Sequence, residues 1–273
     1  MKMTIGIEDN GLNLLPLISN RTHDVMHRGC MVRVREVGGT NGRMADVTIT
    51  GCDRCFETEH MTLCMLLSDI IVENLQVRHL VRLLRREHSY LSEKEQCDIL
   101  VRSLKNLWYG TPDRKNGVAL CKKDVRQRLL AAMIEMEDRT LILEGFMRFR
   151  MKDYLEAWEK ELSDCVSAYL RKKEYAEFIE ILRLFVGVRI PRARRVHLGV
   201  GADGKYLLMD EKHSAIHCGY KNVSRDDALL SLLVNTAPLH IVVHQKSRFA
   251  DKRIIETIKD IFGGRVEFSE ETI

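Results

Sequence analysis

The apolar residues of this chain change period twice, and that change constrains the fold more than any motif does. From about Thr62, Leu63, Leu66, Leu67, Ile70, Ile71, Leu75, Leu80 and Leu84 recur at helical spacing. They mark one face of a long helix ending near the basic RLLRREH, where cations suit the negative end of a helix dipole. Ser92 and Glu95 form a capping box for a following helix that carries Ile99, Leu100, Leu104, Leu107 and Trp108. GTPDRKNG ends it. Helical pattern then runs from about Lys122 to Gly187, bent or interrupted near Gly145. Its apolar stripe takes in Leu129, Met133, Phe149, Leu155, Trp158, Leu162, Val166, Phe178, Leu182 and Phe185.

On either side of this helical stretch the period is two. MKMTIGIE alternates as a strand, GLNLLPLISNRTHDVMH holds a short helix interrupted by proline, and CMVRVREV and RMADVTITG read as strands around GGTNG. Past VGVRIPRARR, VHLGV and KYLLM alternate around Ala202, Asp203 and Gly204, and Asp-Gly supplies the positive φ that a tight hairpin needs. Ser224 to Asp227 resembles a helix start, with Leu229, Leu232 and Leu233 behind it and Pro238 as the stop. LHIVVH reads as a buried strand, ADKRIIETIKDIF as an amphipathic helix and RVEF as a closing strand. That crossover is long enough for parallel, right-handed pairing. The expected fold class is α+β: a small α/β N-terminal unit (1–60), a helical region (61–188) and a C-terminal β-β-α-β-α-β unit (189–273). A length of 273 residues agrees with two or three units.

Composition excludes little but directs the search. Lys and Arg outnumber Asp and Glu by 43 to 39, too small a surplus to demand a nucleic-acid partner. Eight cysteines would imply a disulfide framework in a short secreted chain. MKMTIGIEDN turns polar too early for a secretory leader, so reduced thiols and a cytoplasmic location are expected. No apolar run approaches the ~20 residues of a membrane span.

Four motifs carry possible chemistry. Gly199, Gly201 and Gly204 match a dinucleotide fingerprint formally, but they precede KYLLMDE, which alternates as a strand. A pyrophosphate cradle needs a helix N-terminus there, so a hairpin turn is expected instead. Cys52, Cys55, His60 and Cys64 fall one residue short of zinc-knuckle spacing and lack the glycines that let a knuckle fold tightly. Cys64 also lies on an apolar helix face; neither metal nor cofactor is expected. Arg189, Arg192, Arg194 and Arg195 could grip phosphates, but beside a proline they read more simply as a solvated connector, and no aromatic stacking pattern accompanies them. His244, Lys246, Ser247 and Arg248 follow the carboxyl end of an expected parallel strand, where open α/β sheets bind ligands and helix dipoles favour anions. The plain alternative there is a polar loop with ordinary capping. EGFMRFRMKDYLEAW reads as a core-filling helix rather than a stacking surface. The chain holds no G-x-S-x-G, no Walker A loop and no H-E-x-x-H.

SDIIVENLQVRHLVRLLRREHSYLSEKEQCDIL, EGFMRFRMKDYLEAWEKELSDCVSAYLRKKEYAEFIEILRLFV, DGKYLLMDE, APLHIVVH and IIETIKDIFGGRVEF together resemble the YtxC family of sporulation-associated proteins. The resemblance covers roughly residues 60–270 and is most specific in EGFxRFRxKDY and KEYxEFIxILxxFV. It implies an endospore-forming bacterium and a role connected with spore formation, and it brings no catalytic residue, cofactor or substrate. The Cys52/Cys55 pair is not part of that pattern. The expected function is therefore a non-enzymatic sporulation factor working through protein contacts, with a protein partner. The alternatives are a binder of an anionic ligand or nucleic acid through the C-terminal unit, and an enzyme of unknown class.

Overall fold

The computed structural model describes residues 2–8, 11–26, 31–38, 43–50, 56–109, 122–134, 140–216 and 224–272. The chain divides into two compact units, Met1–Tyr169 and Leu170–Ile273. The first is built on a sheet of β1 (Lys2–Gly6), β2 (Met31–Glu36), β3 (Met44–Thr50) and β4 (Thr140–Ile142), in the order β2-β3-β1-β4. Period-two alternation buries Met3 and Ile5 of β1 and Ala45, Val47 and Ile49 of β3 on one face. Leu14 and Ile18 of α1 (Leu14–Met26) are buried as well. β4 departs from the helical reading of 122–187. Thr140, Leu141 and Ile142 pair parallel with Thr4, Ile5 and Gly6. A three-residue strand joined directly to a helix is too short for its period to show.

The helices of this unit follow the apolar pattern, with one local change of pitch. α2 (Phe56–Ile70) continues through a π turn (Ile71–Leu75) into α3 (Gln76–Glu87). In that turn the Gln76 N–H donates to the Ile71 carbonyl five residues back. The extra residue lets Ile70, Ile71, Val72, Leu75 and Leu80 all stay buried. α4 (Glu93–Tyr109) starts at the expected box: the Ser92 N–H donates to Glu95 Oε2 at 2.8 Å, and the Glu95 N–H to Ser92 Oγ at 3.4 Å. α5 (Lys122–Ile134) precedes β4, and α6 (Leu143–Arg150) follows it at once. The break expected near Gly145 falls instead at Met151, whose φ −130° and ψ 32° separate α6 from α7 (Lys152–Val188). Phe146, Tyr154, Trp158, Leu162 and Val166 are buried, whereas Phe149 is 80% exposed and no part of the core.

The division between units falls within α7. In the second unit β5 (Arg195–Val200), β6 (Tyr206–Asp210), β7 (His240–His244) and β8 (Val266–Ser269) form a sheet in the order β6-β5-β7-β8. β6 pairs antiparallel with β5, Val196 opposite Asp210 and Val200 opposite Tyr206. Gly204 closes the turn at φ +74°. A strand, not a helix, follows the glycines, so the dinucleotide-fingerprint geometry is absent. β5–β7 and β7–β8 are parallel. The crossover helices are α8 (Arg225–Thr236), capped by Ser224 Oγ accepting from the Asp227 N–H, and α9 (Lys252–Phe262). Val196, Leu198, Ile241 and Val243 of the strands share a core with Leu233, Ile254 and Ile258 of these helices and with Ile179 and Val186 of α7. The whole is an α+β fold, and the elements after α7 run in the expected β-β-α-β-α-β order. Among the described residues, no helix is long and apolar enough to cross a membrane.

Candidate functional site

The carboxyl ends of parallel β5 and β7 frame a cavity of about 220 Å³ whose wall includes Gly201, Leu207, His244, Gln245 and Arg248. Gln245 adopts a left-handed conformation (φ 46°), which turns the chain into a short 3-10 segment, Lys246–Arg248. His244 is buried, and both its ring nitrogens are engaged. Nδ1 lies 3.0 Å from the Glu271 carbonyl, which can only accept, so His244 carries its proton there. Nε2 must then accept from His197 Nδ1, 2.9 Å away. His213 stacks on His197 with 5.5 Å between ring centroids. Burial, followed by the neighbouring His244, His213 and Arg195, holds the His197 imidazole below its ordinary value.

This arrangement brings together only some of the four residues expected here. His244 and Arg248 line the cavity, but the engaged nitrogens leave His244 no donor to offer an anion. Arg248 Nη1 donates to Gln245 Oε1 at 3.1 Å. Lys246 sits with its ammonium 5.2 Å from the centre of the Phe268 ring, and Ser247 is exposed; neither is part of the cavity wall. The start of α9 is served by its own chain, since Asp251 accepts from the Arg253 N–H at 2.9 Å. The Arg253 guanidinium in turn holds the Asp251 carboxyl below the usual carboxylate range. The N-terminal dipole of α9 therefore already faces a carboxylate.

The basic run is not uniform. Arg189 donates to Asn235 Oδ1 at 2.9 Å and to the Asn235 carbonyl at 3.3 Å, and its guanidinium lies 4.2 Å from the Phe185 ring centre. The Arg192 N–H donates to the Thr236 carbonyl at 2.8 Å. Both contacts close the carboxyl end of α8, Arg189 through its guanidinium, a cation favoured there, and Arg192 through its backbone amide. Arg194 and Arg195 are exposed, and the Arg195 N–H donates to Glu211 Oε1 at 3.0 Å. Of the zinc-spaced residues, Cys52 and Cys55 lie outside the described residues. Cys64 is buried on α2, and burial pushes its thiol up to about 11.

The feature that sequence reasoning missed is the outer side of α7. Ile179 and Val186 are buried in the core of the second unit, with Leu182 packed against them. Phe178, Ile181, Leu184, Phe185, Val188 and the following Ile190 are between 41 and 88% exposed. Phe178 and Phe185 were expected in the core; they stand outside it. The signal was present in KEYAEFIEILRLFV, because apolar residues at 178, 181, 185 and 188 repeat three and four apart. A second set at 179, 182 and 186 does the same, and one helix cannot turn both sets to one sheet.

Two compact units, each built on a four-stranded mixed sheet with helices, define an α+β protein with a two-faced helix in its second unit. The chain belongs to the YtxC-like family, which matches residues 62–267. It is similar to the uncharacterised protein YtxC of Bacillus subtilis (strain 168), with 24% identity over 201 residues, 69% of each chain. No solved structure matches it significantly.

Proposed function

We propose that the chain is a cytoplasmic, sporulation-associated factor that acts through protein contacts rather than by catalysis. The observation that carries this reading is the exposed apolar stripe of α7 from Phe178 to Val188, continued by Ile190. Exposed apolar side chains gathered on one face mark interaction surfaces, whereas single ones do not. The sporulation link rests on the resemblance to the YtxC family. A second reading, an anionic ligand at the ends of β5 and β7, has the cavity and Arg248 in its favour.

Chromosomal replacement in an endospore-forming host tests both. Ile181→Glu is expected to cut heat-resistant spore counts to the level of a deletion at unchanged protein abundance. Arg248→Ala is expected to leave them intact. The opposite pattern overturns the contact reading in favour of the ligand, and normal sporulation in the deletion strain removes the sporulation role.

A further inference from the structure

We propose that the outer face of α7 in the second unit is where two copies of this chain pair, antiparallel about a two-fold axis. The inference rests on the contact reading above and adds the identity of the occupant. Phe178, Ile181, Phe185 and Val188 occupy successive a and d positions of a heptad, the spacing at which one helix seats on another. Leu184 and Ile190 widen the strip. With roughly 150–200 Å² for each fully exposed side chain of this size, the six offer on the order of 600–700 Å² per copy. Two copies would then bury about 1,300 Å², inside the class of stable specific interfaces. The opposite side of the helix is already held by Ile179 and Val186 in the core, so the strip is presented preformed and little ordering is needed to use it.

The charges nearest the strip favour one direction. Glu174 and Glu177 flank the amino end of the strip, with Arg171, Lys172 and Lys173 in the turn before them, and Arg189 and Arg192 follow its carboxyl end. Glu180 and Arg183 pair with each other within the chain at 2.7 Å. In an antiparallel pair with Ile181 facing Phe185 of the second copy, Phe178 faces Val188. Glu174 and Glu177 then lie beside the chain leaving the other α7, at Arg189 to Arg192. A parallel pair would set carboxylate on carboxylate and guanidinium on guanidinium. A second copy, once reversed, thus matches the apolar strip along its length and sets its nearest charges against opposite ones.

Sedimentation equilibrium of the purified chain over about 1–100 µM tests this. A monomer–dimer equilibrium is expected, weakened about tenfold or more by Ile181→Glu and by Val188→Glu. Val188 is 82% exposed, so its replacement leaves the fold intact, and far-UV circular dichroism at low concentration checks that. Glu174→Arg and Arg192→Glu should each weaken pairing about two- to fivefold, as rim charges do, and the double variant should recover it. A chain monomeric throughout, or a dimer indifferent to both stripe variants, overturns the second-copy assignment. A dimer weakened further by the double reversal overturns the antiparallel direction. If the chain is monomeric and Ile181→Glu still abolishes sporulation, the contact reading survives with a different partner. If Ile181→Glu also sporulates normally, both readings fall.

Discussion

His197 and His244 show how neighbours decide what an ionisable side chain can do. The Glu271 carbonyl orients one ring, and that ring orients the other through a 2.9 Å bond. His244 was legible as a strand-end residue. Its engagement was not, because His197 lies 47 positions away and only parallel pairing of β5 and β7 brings the rings together. A pH dependence follows. The folded His197 value lies below the ordinary 6.5, so the unfolded chain takes up the proton first as pH falls. The stabilisation is complete above the unfolded value and is lost as pH drops from there toward the folded one. The urea midpoint is expected to fall between about pH 7.5 and about pH 5.5, and His197→Gln to flatten that slope. A slope unchanged in the variant would assign the effect to another group.

At the scale of elements, legibility followed length and punctuation. The β5–β6 hairpin was readable because Asp203-Gly204 allows few other turns, and α4 because its capping box is written out in Ser92 and Glu95. β4 was hidden by its three residues. The π turn was hidden because Leu75 and Leu80, five apart, still look helical by eye. Both faces of α7 were assigned to one core because pattern counts apolar residues without saying how many surfaces they serve. The arginines after α7 make the same point, since they read as a connector but partly close α8. Arg189→Gln is therefore expected to destabilise the protein by about 1 kcal/mol through its lost bonds to Asn235, tempered by partial exposure. Arg194→Gln, at an exposed position, should change stability by less than about 0.5 kcal/mol. Chemical denaturation of the two variants side by side decides it, and equal effects would contradict the helix-end role of Arg189.

For the whole molecule, the question is whether one core or two hold it together. The family match, residues 62–267, runs from α2 to β8 and so spans both units, while β1 to β3 lie before it. Each unit nevertheless has its own sheet, and Leu67 in the first and Leu233 in the second are both fully buried. Removing either side chain to Ala leaves a cavity costing about 2–5 kcal/mol. If each core supports its own sheet, that cost should stay local, because sub-global opening follows contiguous packed units. Hydrogen exchange in mild denaturant reads this directly. Leu233→Ala is expected to speed exchange in β5, β7 and α9 while β1, β3 and α2 keep their protection. Leu67→Ala should give the reverse pattern. Equal loss of protection everywhere from either substitution would mean that the chain opens as one block, and that neither sheet has a stability of its own for selection to tune.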